Sequence, residues 1–265
     1  METFSVAERR ACRVLNTNRT AYRYEVVLRA DEDEVRAEVI DKVCNFGRVG
    51  YRQVTDLMRN GGRKINHKRV ERIWREEGLK LPAKQVKKRR LWLTDGSCIR
   101  LRPEYKNHVW SYDFVEDKTW NGRKIRFLNI IDEYSRECLA SLPRRSWRNN
   151  DIIEVLAGLM LTRGCPEYLR SDNGSEFTAS KLRKWLTNLG VITAYIEPGS
   201  PWENGYCESY NARMRDEFLN GEIFGNMYEA QVLTKRWVAY YNEIRPHSSL
   251  HGRPPAPQTI VPLSA

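Results

Sequence analysis

The chain has 265 residues, of which 41% are apolar, with 8 Trp and 13 Tyr; this is enough to bury one large core or two small ones. No run of 18 apolar residues occurs, which excludes a membrane-spanning helix, and the opening METFSVAERRACRV lacks a secretory signal's apolar stretch, so a cytoplasmic setting is expected. The net charge of +11 is local: residues 61–102 hold 14 Lys/Arg against 4 Asp/Glu, while residues 103–265 balance at 20 and 20, which points to a polyanion such as nucleic acid.

Residues 1–80 read as a helical region without proline. Val6–Leu15 and Arg19–Tyr24, separated by Asn16-Thr17-Asn18, form a small helical hairpin. Asp31–Asn45 has helical spacing at Val35, Val39, Ile40 and Val43, and Gly47 and Gly50 end it. Tyr51–Arg59 is a second helix of this region, and Gly61-Gly62 turns the chain. Asn66 then caps a third helix that Gly78 stops. Val70, Ile73 and Trp74 make its apolar face; Lys68, Arg72 and Arg75 fall on the opposite one, with Arg69 beside them. Helix, turn and a helix with a basic stripe is how a helix-turn-helix reader of DNA is built. An ordinary amphipathic helix with a solvated basic face has the same pattern.

Residues 81–105 read as a basic linker, with Pro82, the run Lys87-Lys88-Arg89-Arg90, Gly96 and Pro103. Residues 106–250 alternate strand and helix patterns. His108–Val115, Lys124–Ile131 and Cys138–Leu142 read as three strands that can form an antiparallel meander. A helix at Asp151–Arg163, a strand at Tyr168–Ser171, a helix at Ser180–Leu189 and a strand at Val191–Ile196 follow, then helices at Glu203–Leu219 and Tyr228–Tyr241. That order predicts an α/β fold, a mixed five-stranded sheet with helices on both faces. The tail, 251–265, carries four prolines and is expected to be extended.

An aspartate inside a strand as apolar as HVWSYDFV needs strong donors or a cation, because an uncompensated buried carboxylate costs several kcal/mol. Asp113 is that residue. Asp172 follows another strand, at the carboxyl end where open α/β sheets place their sites. Glu208 lies in a predicted helix, with Asn204, Asn211 and Arg215 on its face. Three such carboxylates make a hard oxygen site suited to two Mg²⁺ or Mn²⁺ ions, not zinc. Ions about 3.5–4 Å apart activate a water or a 3′-hydroxyl and stabilise the leaving oxygen of a phosphodiester. Each acid taken alone is more often a salt-bridge or cap residue. Glu203 and Glu176 are rival carboxylates, and Asp132 is expected to stabilise the turn after its strand.

Asp113 and Asp172 are separated by 58 residues, and Asp172 and Glu208 by 35, in the contexts WSYDFV, LRSDNGSEF and PGSPWENGYCESYNARMRDE. This pattern resembles the D,D-35-E core of retroviral integrases and insertion-sequence transposases. The pieces GYRQVTDLMRNGGRKINHKRVERIWREEGL, SDNGSEF, NGYCES to RDE, and YYNEIRPHSSL are similar to the second-reading-frame (OrfB) transposase of the insertion-sequence-three family, over most of residues 1–258. The resemblance implies a ribonuclease-H-like core with Asp113, Asp172 and Glu208 as metal-binding catalytic acids. It implies that Arg215, seven positions after the glutamate, faces DNA, with a DNA contact by Asn204 also possible. The four histidines do not pair with cysteines as in the zinc module of retroviral integrases, so no zinc is expected.

By the same likeness, Lys68, Arg69, Arg72 and Arg75 grip the element's terminal inverted repeats, and Lys87, Lys88, Arg89 and Arg90 add non-specific affinity. The core cleaves a DNA end with water and then joins the freed 3′-hydroxyl to its target strand, without a covalent protein–DNA intermediate. The expected partners are double-stranded DNA, further copies of the chain on that DNA, and the first-reading-frame product, or a frameshift fusion with it. A catalytically inactive, transposase-derived DNA-binding regulator is the alternative; it would be marked by loss of an acid, and all three are present. A plain nuclease of the same fold would not need the basic helix-turn-helix region.

Overall fold

The computed structural model describes residues 6–25, 29–81, 101–171, 180–195 and 205–256. The chain forms two compact units, residues 1–41 and 42–265. In the first, α1 (Glu8–Val14) and α2 (Arg19–Tyr22) make the expected small hairpin. Glu8 closes it by accepting from Arg19 Nε at 2.6 Å and from Arg23 Nε at 2.8 Å. Helix α3 (Glu32–Asn45) follows, with Val35 and Val39 buried.

In the second unit, α4 (Tyr51–Asn60) and α5 (His67–Glu76) pack together through Val54, Leu57 and Met58 and through Val70, Ile73 and Trp74, all buried. Both ends of α5 follow from sequence chemistry. Asn66 accepts from Lys68 N at 2.9 Å, satisfying one of the first-turn N–H groups that a helix leaves unpaired. At the other end Gly78 takes φ +64°, and Leu79 N and Gly78 N bond back to Trp74 O and Arg75 O. That is the Schellman closure that glycine permits most readily.

The sheet comprises β1 (Val109–Lys118), β2 (Lys124–Asp132), β3 (Cys138–Arg144), β4 (Tyr168–Ser171) and β5 (Ile192–Tyr195), in the order β3-β2-β1-β4-β5. β1, β2 and β3 are antiparallel, and β4 and β5 run parallel to β1, as the sequence order predicted. β1 and β2 alternate strictly. Trp110, Tyr112, Leu128 and Ile130 face α6 (Asn149–Arg163) and α7 (Ser180–Asn188). Val115, Phe127 and Ile131 face the opposite way, toward α8 (Gly205–Glu217) and α9 (Met227–Ala239). A bulge shifts the β2–β3 register between Ile130 and Ile131, so Cys138 and Ser141 both turn to the α8 side although they are three residues apart.

Several boundaries differ from expectation. β1 continues to Lys118 because the hairpin ladder pairs Lys118 with Lys124 irrespective of polarity. α9 runs on into one π-helical turn, Tyr240–Ile244. Of the tail, residues 251–256 are described and they turn where an extended course was expected: His251 and Gly252 are left-handed, just after the 3₁₀ turn Ser248–Leu250. Two bonds close this loop, Gly252 N to His247 O and His247 N to Arg253 O. Asn60 of α4 donates to Gly252 O at 2.9 Å. No helix among the described residues is long and apolar enough to cross a membrane.

Candidate active site

Asp113 sits on the α8 side of β1, half-buried, between Ser111 and Val115. Asn211 Nδ2 donates to Asp113 Oδ2 at 2.8 Å, and Asp113 Oδ1 accepts from Phe114 N at 2.7 Å. These are the strong donors that the apolar strand called for. Glu208 lies in the first turn of α8, also half-buried, one turn before Asn211 and on its face. Arg215, one turn further on, donates Nη2 to Glu116 O at 2.8 Å. One helix face therefore lies along β1, joined at Asn211–Asp113 and at Arg215–Glu116.

Cys207, next to Glu208, is fully buried. Burial first, then the charge of Asp113, with Cys138, Glu133 and Glu208 adding to it, holds its thiol well above the ordinary range. It therefore stays protonated and unsuited to binding a metal as thiolate.

Asp172, Asn204 and the run Lys87, Lys88, Arg89 and Arg90 lie outside the described residues, as do the rivals Glu176 and Glu203. Among the described residues no group of three His, Cys, Asp or Glu side chains could hold a metal ion; Asp113 and Glu208 are two of the expected three. β4 ends at Ser171, and its parallel register sets Ser111 beside Arg170. Asp132 stabilises its turn as expected, accepting from Tyr134 N at 3.2 Å and from Ser135 Oγ at 2.7 Å. Burial nevertheless raises its carboxyl above the usual range, and the Ser135 bond only partly offsets that.

On α5, Lys68 and Arg75 are exposed and Arg69 and Arg72 are half-buried. Arg72 pairs with Glu76 at 2.9 Å and Arg75 with Glu71 at 2.7 Å, both one turn apart. Part of the stripe's charge is thus balanced on its own helix, which a reading of the basic residues alone overlooks.

Two features escaped the sequence reading. Asn129, fully buried at the centre of β2, donates to Asn211 Oδ1 at 2.8 Å. It could have been found as Asp113 was, as a polar side chain inside an apolar strand, KIRFLNIID. The other is the buried ion pair of Glu133 and Arg170, which ties the end of β2 to β4.

The integrase core domain family matches residues 103–201 and, through a second integrase core profile, residues 189–255; an HTH-like domain matches residues 30–89. The chain is 33% identical over 256 residues to an insertion element IS476 uncharacterized 39.2 kDa protein of Xanthomonas euvesicatoria, covering 97% of this chain and 73% of the relative. It is 32% identical over 250 residues to an insertion element IS407 uncharacterized 31.7 kDa protein of Burkholderia multivorans, covering 94% and 89%. Its fold is similar to a chain of the simian T-cell lymphotropic virus intasome, solved by cryoEM in complex with PP2A regulatory subunit B56 gamma, with TM-score 0.50, 15% identity and coverage of 86% and 76%. With an integrase core and an HTH-like domain in one chain, and insertion-element relatives that match nearly all of it, the protein belongs to the OrfB-type transposases of the insertion-sequence-three family, built on a ribonuclease-H-like core.

Proposed function

We propose that this transposase cleaves the ends of its insertion element and joins them to a target strand, using Asp113, Asp172 and Glu208 as its catalytic acids. The observation that carries the reading is the Asn211–Asp113 bond, which links the helix bearing Glu208 to the strand bearing Asp113. Asp172 is the next residue after β4. β4 runs parallel to β1, with Ser111 beside Arg170.

The donor set fits a hard divalent cation. Asp113 and Glu208 offer oxygens only, and each carboxylate oxygen can accept more than one bond. The Cys207 thiol, next to Glu208, is held neutral. Asp113, Asp172 and Glu208 would hold two Mg²⁺ or Mn²⁺ ions, which when bound supply an activated water or 3′-hydroxyl and stabilise the leaving oxygen. The chain's own residues set the geometry. Asn211 fixes the rotamer of Asp113, and α8 carries Glu208 on the same face. Arg215 uses one donor on Glu116 O and keeps others for a DNA phosphate. Lys68, Arg69, Arg72 and Arg75, with Lys87, Lys88, Arg89 and Arg90, hold the duplex mainly through its phosphates. Asn204 contacts DNA beside the acids. Terminal repeats, target DNA, further copies of the chain on that DNA and the first-reading-frame product are the partners this reading requires.

Asp113→Asn and Glu208→Gln are expected to abolish strand transfer on DNA carrying the element's ends while leaving binding of that DNA unchanged. Joining of ends in Mg²⁺ by either variant would overturn the assignment.

A further inference from the structure

The acid in β1 is not held by Asn211 alone. Asp113, Asn129 and Ser141 are cross-strand neighbours, Asp113 opposite Asn129 and Asn129 opposite Ser141. Their side chains are joined in one line. Ser141 Oγ donates to Asn129 Oδ1 at 2.7 Å, Asn129 Nδ2 to Asn211 Oδ1 at 2.8 Å, and Asn211 Nδ2 to Asp113 Oδ2 at 2.8 Å. Asn129 and Ser141 are buried.

The direction of this line has a cause. An ionised carboxylate only accepts, so the Asn211 atom facing Asp113 must be its NH₂. The Asn211 oxygen then faces Asn129, whose facing atom must also be NH₂. That leaves the Asn129 oxygen toward Ser141, whose hydroxyl donates. Each amide has two ways round, and only one satisfies every member of the line. An amide turned the other way would set oxygen against oxygen in a buried place, at a cost of about 1–3 kcal/mol. The carboxylate sets the direction, and the buried side chains behind it, Asn129 and Ser141, hold the Asn211 amide in that orientation.

We infer that Asn129 and Ser141 are positioning residues: they lock the Asn211 amide so that its NH₂ holds one oxygen of Asp113 and leaves the carboxylate oriented for a divalent cation. The inference deepens the catalytic reading and rests on it. It also explains why a strand otherwise as apolar as KIRFLNIID carries an asparagine at its centre. The bulge between Ile130 and Ile131 contributes as well, since it lets Ser141 and the core residue Cys138 share the α8 side.

The test is Mn²⁺ binding to the full chain without DNA, read from the electron paramagnetic resonance signal of free Mn²⁺. Asn129→Leu keeps the side chain's size and removes its polar atoms. It is expected to weaken Mn²⁺ binding by about 10–100-fold, the range for residues that orient a metal ligand from behind. Ser141→Ala, the milder change, should weaken binding by roughly twofold to fivefold, since it removes one neutral hydrogen bond. In an Asn211→Leu background both effects should shrink to less than about twofold, because the line is already cut between them and Asp113. A residue that merely supports the core would lower binding by the same factor in both backgrounds, and that result would overturn the proposal. So would Mn²⁺ binding by Asn129→Leu and Ser141→Ala that matches the parent. Should Asn129→Leu fail to fold, the comparison is made with Ser141→Ala alone. Asp113→Asn separates the two levels. If it binds Mn²⁺ as the parent does, the catalytic assignment fails and takes this inference with it. If it loses Mn²⁺ while the Asn129 and Ser141 variants do not, only the positioning role fails.

Discussion

Replacing Glu133 by alanine is expected to cost about 3–5 kcal/mol of stability, the penalty for stranding one partner of a buried ion pair. The magnitude follows from where the pair sits. The Glu133 and Arg170 side chains are 0% and 4% exposed, and Arg170 Nη1 lies 2.9 Å from each carboxylate oxygen. Arg170 Nη2 also donates to Leu101 O at 2.9 Å. Truncating Glu133 leaves a guanidinium in a place water cannot reach; the same change in a surface pair would cost less than about 1 kcal/mol. For a chain of this length the loss corresponds to a melting temperature lower by roughly 6–20 °C. Thermal unfolding followed by tryptophan fluorescence measures it. The double replacement Glu133→Leu with Arg170→Met should recover most of the loss, because it removes both charges and keeps apolar volume. The remainder is the donor missing from Leu101 O. A loss below about 1 kcal/mol for Glu133→Ala, or a double variant no better than the single one, would refute the argument. Arg170 stands on β4, two residues before Asp172, one of the three acids proposed as catalytic.

Three further outcomes follow from particular side chains. Burial, with the charges of Arg245, Arg213 and Arg136 adding to it, pushes the His247 imidazole down to about 3. The unfolded chain takes up a proton there near pH 6.5 and the folded chain does not, so stability is lost as pH falls from about 6.5 toward 3, by up to about 1.4 kcal/mol per pH unit; His247→Phe should flatten that part of a stability–pH curve measured by urea unfolding. A Cβ on Gly252 would stand 2.7 Å from Asp56 Cγ, and φ there is +80°; Gly252→Val should destabilise by about 1–3 kcal/mol, read as a lower melting temperature. Replacing Lys68, Lys87, Lys88, Arg89 and Arg90 by alanine should flatten the dependence of log affinity for duplex DNA on log salt, by up to about 0.9 for each phosphate that is no longer neutralised. An unchanged slope would place the DNA-binding surface elsewhere.

Local chemistry made much of this protein legible in its sequence. Asn66 and Gly78 bound α5 because a cap and a left-handed stop act within a few residues. The apolar, aromatic and β-branched make-up of HVWSYDFV marked a strand, and the order of elements implied the mixed sheet. Asp113 stood out because a carboxylate in such a strand is costly, and Glu208, Asn211 and Arg215 fell on one face by helical spacing alone. Spacing could not reveal what lies across that face. Pairing Asp113 and Asn129 with Asn211, and Arg215 with a strand carbonyl, joins residues up to about a hundred positions apart, and only the packing of α8 on the sheet brings them together. The bulge that turns Ser141 toward α8 has no sequence signal, because it depends on how two strands register. Glu133 and Arg170 read as ordinary charged residues, since burial is a property of the assembled sheet and not of either strand. Sequence alone determined which side chains could do the chemistry; tertiary structure decided which of them are held, and by what, because hydrogen bonds and ion pairs depend on distances that chain order does not contain.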